Sequence, residues 1–150
     1  MLRTRGALVA AITALAVGLA LVASHLLLTV IALEPFDRAG YVLLTSVLPF
    51  TIGYFLALWV VAPITEQLGI GHVITRAILA TGIGATLWFV VLGLTGVVTA
   101  VSATSDVLGI AASPGLIGAQ LGYALQQALT GLVVLLPLGV LGGVLQWVWR

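Results

Sequence analysis

The five basic and four acidic residues of this chain leave four long stretches without any formal charge, and this spacing constrains the fold most. The uncharged stretches are 6–33, 39–65, 77–105 and 107–149. A helix that spans the hydrocarbon core of a membrane needs about 20 mainly apolar residues, so each stretch holds one such helix and its flanks. The sequence therefore predicts an all-α integral membrane protein, with one domain over 1–150 that forms a four-transmembrane-helix bundle.

The helices are expected at about 6–33, 37–64, 74–101 and 114–147. The Ser113-Pro114-Gly115 sequence is typical of a helix start, because serine is a favoured cap and proline is favoured at the first helical position. Pro49 and Pro137 lie inside predicted helices, where the missing N–H of each should produce a kink. The longest connection, 102–113, mixes small polar and apolar residues and is expected on the membrane surface.

The first apolar stretch has two possible interpretations. Arg3 and Arg5 followed by apolar residues also describe a signal peptide. However, the uncharged stretch is longer than the core of a signal peptide and continues to Leu33. We therefore interpret it as a retained first membrane helix.

The arginines predict the orientation of the chain. With the N-terminus inside the cell, Arg3, Arg5, Arg76 and Arg150 are cytoplasmic and only Arg38 is outside, which agrees with the positive-inside rule. The N-terminus and the C-terminus are therefore expected in the cytoplasm. Lysine and asparagine are absent, which we interpret as the codon bias of a GC-rich bacterial genome, and the expected location is the bacterial inner (plasma) membrane.

Polar residues inside the predicted spans lie mainly in the outer half of the bilayer. His25 is the one ionisable side chain deep in a span, roughly 12 Å from the outer end of its helix. In the last helix, Gln120, Tyr123 and Gln127 lie at roughly 9 to 20 Å depth and share one helical face with Thr130.

Because polar side chains avoid lipid, these faces are expected to converge inside the bundle. They would form either an outward-facing polar pocket, with His25 as a proton acceptor or a ligand contact, or a set of hydrogen bonds between helices around a structural histidine. Both interpretations remain open. The candidate residues are His25, Thr29, Thr45, Ser46, Thr95, Thr99, Gln120, Tyr123, Gln127 and Thr130.

Small residues recur every four positions in two of the predicted helices, a spacing that allows close approach of another helix. We expect packing within the chain, while self-association or contact with a partner helix remains an alternative. The candidate packing residues are Gly6, Ala10, Ala14 and Gly18 in the first helix, and Gly118, Gly122, Gly139 and Gly143 in the last.

Residue types that carry chemistry are scarce. There are no cysteines, no carboxylates deep within a span and no recognisable grouping of nucleophile, base and orienting residue. His72, near Glu66 and Arg76, is interpreted as an ordinary interfacial residue. The sequence therefore predicts no enzyme, no cofactor and no metal site, and the scattered arginines predict no nucleic-acid partner.

Two functions of different class remain. The first is a non-catalytic small subunit, or an assembly or stabilising factor, of a larger membrane protein complex, which the short loops and small-residue ridges favour. The second is a small transporter, or a ligand- or lipid-binding membrane module, that uses the polar pocket. The expected partners are the lipid bilayer and either other membrane subunits or further copies of the chain.

Overall fold

The computed structural model describes the backbone at residues 2–31, 37–65, 67–108 and 114–149. Within these ranges it describes the side chains of 6–27, 29–31, 40–65, 67–102 and 115–149. The expected last two residues of helix one, 32 and 33, and the end of the 102–113 connection, 109–113, lie outside the described residues, as do the side chains of the arginines other than Arg76.

Four helices account for nearly all of the described residues, and each is long and apolar enough to cross a membrane. This confirms, in the described ranges, the prediction of an all-helical architecture with four helices that could each cross a membrane. The helices, in chain order, are helix one (Leu2–Ile31), helix two (37–61), helix three (Ile70–Leu108) and helix four (Pro114–Val148).

Helix two alternates between α and π geometry. It begins as an α-helix at Asp37–Val42, widens to a π turn at Leu43–Val47, returns to α geometry at Leu48–Leu56 and ends in a second π turn at Ala57–Val61. The first π turn ends just before Pro49, which has no N–H to donate to the preceding turn. The wider turn accommodates this proline without interrupting the helix.

The helix ends differ from the expected positions for local reasons. Helix two ends at Val61 because Ala62 leaves the helical conformation, with φ −134° and ψ 59°, just before Pro63. Helix three continues to Leu108 through residues expected in a surface connection. Serine is compatible with a helix there, since the Ser102 hydroxyl donates a hydrogen bond to the Val98 carbonyl one turn earlier.

The helices form a ring in which each one packs on its two neighbours in the order one, two, three, four. Helices one and four close the ring, and neighbouring helices run antiparallel. We call the end that holds residues 31 and 114 the distal end, and the end that holds Leu2 and Val148 the terminal end. The connection between helices two and three lies at the terminal end, where the Ile64 side chain is buried.

Tyr54 spans the centre of this ring. Its ring is buried and stacks on Phe50 of the same helix, with 5.9 Å between the ring centroids. Its hydroxyl donates a hydrogen bond of 2.6 Å to the Gly139 carbonyl of helix four. Helix four also packs closely on helix three because it has glycine at the contact. A Cβ at Gly139 would overlap the Oγ1 atom of Thr81 on helix three.

The candidate packing residues occupy two different environments. In helix one, Ala10 and Ala14 are buried, and a Cβ at Gly18 would lie 2.8 Å from the Thr51 Oγ1 atom of helix two, whereas Gly6 is partly buried. In helix four, Gly139 and Gly143 are buried against helix three. Gly118 and Gly122 lie on the exposed surface, and a Cβ at either one would meet no atom within 4 Å.

Candidate functional site

A pocket of about 360 Å³ lies within the ring, in the distal half of the bundle, with walls from all four helices. Its volume falls at the lower end of the range of about 300 to 1,000 Å³ that is typical of small-molecule sites. The lining residues are Leu21, Ser24, His25, Tyr41, Val42, Thr45, Ser46, Val47, Phe50, Trp88, Leu92, Tyr123, Gln127, Gly131, Val134 and Leu135.

The pocket has an apolar floor and polar groups in its wall. Phe50, Leu92 and Leu135 are almost completely buried and form the part nearest the bundle centre. His25 of helix one and Gln127 of helix four line the pocket and are partly buried. The lining therefore combines apolar contact surface with hydrogen-bonding groups, which suits a molecule that has both kinds of surface.

The first π turn of helix two brings two of the polar residues to the pocket wall. Thr45 and Ser46 lie in this turn, and both line the pocket. The Thr45 hydroxyl is buried and donates a hydrogen bond of 2.8 Å to the Tyr41 carbonyl. A π turn contains more residues than an α turn, so it shifts which side chains face inward, and such turns occur often at functional sites.

Five of the ten candidate polar residues line the pocket: His25, Thr45, Ser46, Tyr123 and Gln127. The structure therefore brings five of the ten candidates, from helices one, two and four, to the lining of one pocket. Tyr123 is 54% exposed, so it belongs to the rim rather than to the floor.

The other five candidates lie outside the pocket lining. Thr29 is buried one turn beyond His25 and donates a hydrogen bond of 2.9 Å to the His25 carbonyl. Gln120 packs over Gly96 of helix three, and its Oε1 atom is 3.0 Å from the position that a Cβ at Gly96 would take. Thr95 is partly buried on helix three, while Thr99 and Thr130 are exposed.

The threonine hydroxyls bond within their own helices. Thr29, Thr45, Thr95, Thr99 and Thr130 each donate to the carbonyl four residues earlier. This local bond satisfies a hydroxyl in an apolar environment without a partner on another helix. Hydrogen bonds between helices therefore do not explain why these threonines are present, and Thr45 is left as a pocket-lining group with an oxygen that can still accept.

Three pocket residues with polar atoms were not among the candidates: Ser24, Tyr41 and Trp88. Ser24 is adjacent to His25, and Tyr41 precedes Thr45 by one turn, so helical spacing could have indicated both. The Trp88 ring packs on Gly131 of helix four, and its Nε1 atom is buried without a hydrogen-bond acceptor among the described residues. Nothing in the sequence distinguished Trp88 from the apolar residues around it.

Buried polar residues also lie in the terminal half of the bundle, where few were expected. Thr13, Thr81 and Gln146 are buried there, in addition to Tyr54. Gln146 is 1% exposed, and within the described part of the chain neither its Nε2 nor its Oε1 atom has a hydrogen-bond partner. It follows Gly142 and Gly143 by one turn, so it lies on the inward face of helix four.

The described residues contain no group of three or more histidine, aspartate or glutamate side chains that could hold a metal ion. The pocket itself offers one imidazole, one amide, four hydroxyls on serine and tyrosine, the Trp88 indole N–H and the Thr45 oxygen. These groups can donate and accept hydrogen bonds, and the lining has no aspartate, glutamate, lysine or arginine side chain. The pocket therefore offers apolar contact surface and hydrogen-bonding groups.

No protein family matches this chain, and neither the curated proteins nor the solved structures include one with significant similarity to it.

Proposed function

We propose that this chain is a membrane-embedded binding module whose distal pocket holds a small amphiphilic molecule. The observation that supports this is the pocket of about 360 Å³ between the four helices, with its apolar floor and with His25 and Gln127 in its wall. A bundle that served only as a structural element would gain stability from filling this volume, because an internal void lacks packing contacts. His25 then acts as a hydrogen-bond partner of the bound molecule.

The pocket can be tested with a quencher that binds in it. Trp88 is the tryptophan that lines the pocket, and the chain has four in all, so replacing Trp59, Trp147 and Trp149 by phenylalanine leaves Trp88 as the reporter. We expect spin-labelled decanoic acid, added to the protein in mild detergent, to quench Trp88 fluorescence with a saturable dependence on concentration. Ser46→Phe should remove most of the saturable component, because the larger ring fills the pocket.

Thr130→Phe is the matched control, because Thr130 is exposed on helix four and does not line the pocket. It should leave the saturable quenching unchanged. His25→Gln tests the polar wall: the protein should fold normally and bind the quencher more weakly. If the saturable quenching of Trp88 fluorescence were equal in the Ser46→Phe and Thr130→Phe variants, the distal pocket would not be a binding site.

The proposed orientation places the distal end, and with it the pocket, in the outer half of the bilayer. Because the native chain has no cysteine, single cysteines can report on each end of the bundle. We expect Gln67→Cys, in the exposed connection between helices two and three, to react with a membrane-impermeant maleimide only after the cells are opened. Ser113→Cys should react in intact cells. The reverse pattern would place the N-terminus and the C-terminus outside.

A second candidate function is that of a non-catalytic subunit or assembly factor in a larger membrane complex. The observation that favours it is the exposed glycine pair Gly118 and Gly122, where an added Cβ would meet no atom of the described residues within 4 Å. A pair with this spacing permits close contact with a helix from another chain. Stoichiometric co-purification of another membrane protein in mild detergent would favour this function over that of an independent module.

A further inference from the structure

We call the interface between two neighbouring helices of the ring a seam. Three of the four seams are closed at or beside the pocket by tight contacts. Between helices one and two, a Cβ at Gly18 would lie 2.8 Å from the Thr51 Oγ1 atom, and helix one also contacts the first π turn of helix two, Leu43–Val47, nearer the distal end. Between helices two and three, a Cβ at Gly84 would lie 2.9 Å from the Phe50 ring. Between helices three and four, the Trp88 ring lies directly against Gly131.

The fourth seam, between helices one and four, differs from these. Its tight contact lies on the terminal side of the pocket, beside Gly18, where a Cβ at Gly142 would be 2.7 Å from Val17. Toward the distal end, the same two helices line opposite sides of the pocket, helix one with Ser24 and helix four with Val134. Both of these residues are exposed, and Val134 is 57% exposed. The pocket therefore opens to the side of the bundle through this seam.

The opening lies within the membrane-spanning segments. Ser24 belongs to the apolar span Gly6–Ile31, and Val134 belongs to the span Gly115–Val148. At about 1.5 Å rise per residue, Ser24 lies about 10 Å inside the nearer end of its span, and Val134 lies about 20 Å inside the nearer end of its own. A molecule at the seam is therefore surrounded by lipid chains rather than by water.

The size of the pocket limits how much of a lipid it can hold. The volume of about 360 Å³ is at the lower end of the range of sites that hold one drug-sized molecule. A two-chain phospholipid has many more atoms than such a molecule. A lipid can therefore be held only if one part lies in the pocket and the rest extends through the seam into the bilayer.

We infer that the occupant of the pocket is part of a bilayer lipid that enters between helices one and four. This inference rests on the proposed function and names its ligand class. An acyl segment contacts Phe50, Leu92 and Leu135, while an oxygen of the lipid accepts a hydrogen bond from the polar wall at Gln127. The pocket lining has no aspartate, glutamate, lysine or arginine side chain, which suits ester and hydroxyl oxygens, since these need hydrogen bonds but no counter-ion.

The experiment uses the full chain with Trp88 as its one tryptophan, reconstituted in bilayers of phosphatidylcholine that carries bromine on its acyl chains. Bromine atoms quench tryptophan fluorescence only at short range. We expect strong quenching of Trp88, and Ser46→Phe should abolish most of it by filling the pocket. Val134→Phe should also reduce quenching, because the larger side chain narrows the seam.

Val133→Phe is the matched control for the seam, since Val133 is 73% exposed, lies next to Val134 and does not line the pocket. It should leave the quenching unchanged. Equal quenching in Val133→Phe and Val134→Phe would overturn access through this seam. Equal quenching with and without Ser46→Phe would show that the lipid chains stay outside the pocket.

These outcomes are distinguishable from failure of the proposed function. If spin-labelled decanoic acid quenches Trp88 in a manner that Ser46→Phe removes, while brominated lipid does not, the pocket binds an amphiphile from solution and the lipid inference is wrong. If neither probe responds to Ser46→Phe, the proposed function and the lipid inference are both wrong. Thermal unfolding of each variant establishes that the protein is folded in every comparison.

Discussion

Gly139→Ala should lower the free energy of unfolding by about 1 to 3 kcal/mol, whereas Gly118→Ala should raise it by up to about 1 kcal/mol. A Cβ at Gly139 would overlap the Thr81 side chain and would push helix four away from helix three. The same shift would weaken the hydrogen bond from Tyr54 to the Gly139 carbonyl. At Gly118 the added methyl group meets nothing within 4 Å, so the higher helix propensity of alanine is the remaining effect.

Unfolding by a graded increase of a denaturing detergent, followed by circular dichroism, measures both changes. The pair is well matched because the two glycines lie in the same helix and receive the same substitution. Gly143→Ala should behave like Gly139→Ala, since a Cβ there would lie 2.5 Å from the Ala77 Cβ atom. A stability change of the same sign at Gly139 and Gly118 would contradict the close packing of helices three and four.

Gln146→Met should raise the free energy of unfolding by about 1 to 3 kcal/mol, because it removes a buried amide that has no hydrogen-bond partner among the described residues. Methionine has a similar length and an adaptable apolar side chain, so it should fill the same space. Most substitutions in a packed core are destabilising, and a gain at this position would be unusual.

Gln126→Met is the control, since Gln126 is an exposed glutamine on the same helix. Its effect should stay within about 0.5 kcal/mol of zero. A loss of stability in Gln146→Met would mean that the amide has a partner, either a bound water molecule or a group beyond the described residues. The same detergent titration measures both variants.

The four-helix architecture could be predicted from the spacing of charges alone, because the cost of placing a charge in hydrocarbon is large and the thickness of a membrane is fixed. The residues at which the helices end were predicted less well. Pro63 ends helix two through its effect on Ala62, a local rule that the sequence already contained. The extension of helix three to Leu108 depends on small polar residues that are equally compatible with a helix and with a loop.

Which face of a helix points inward could not be predicted in the same way. In a water-soluble helix the apolar face identifies the core, but in a membrane helix the lipid-facing side is apolar too. Gly118 and Gly122 have the same spacing as Gly139 and Gly143, yet one pair is exposed and the other is buried. Tertiary contacts, not sequence spacing, separate the two pairs.

The candidate site was predicted in part for the same reason. The sequence predicted overlapping depths for the rare polar residues His25, Tyr123 and Gln127, and all three line one pocket. The burial of Gln146 could not be predicted, because it lies close to the end of a span, where a glutamine is equally compatible with the membrane surface. The π turn that carries Thr45 and Ser46 has no sequence signal apart from the proline that follows it.

The contrast between the two halves of the bundle has a mechanical consequence. The terminal half is held by glycine contacts that leave no free space and by the Tyr54 to Gly139 hydrogen bond, so its helices cannot separate without breaking these contacts. In the distal half, the hydroxyls of Thr29, Thr45 and Thr99 are bonded within their own helices and do not tie neighbouring helices together. Helices one and four are therefore held together mainly on the terminal side of the pocket, and a guest of variable width that spread these two helices would be resisted mainly there.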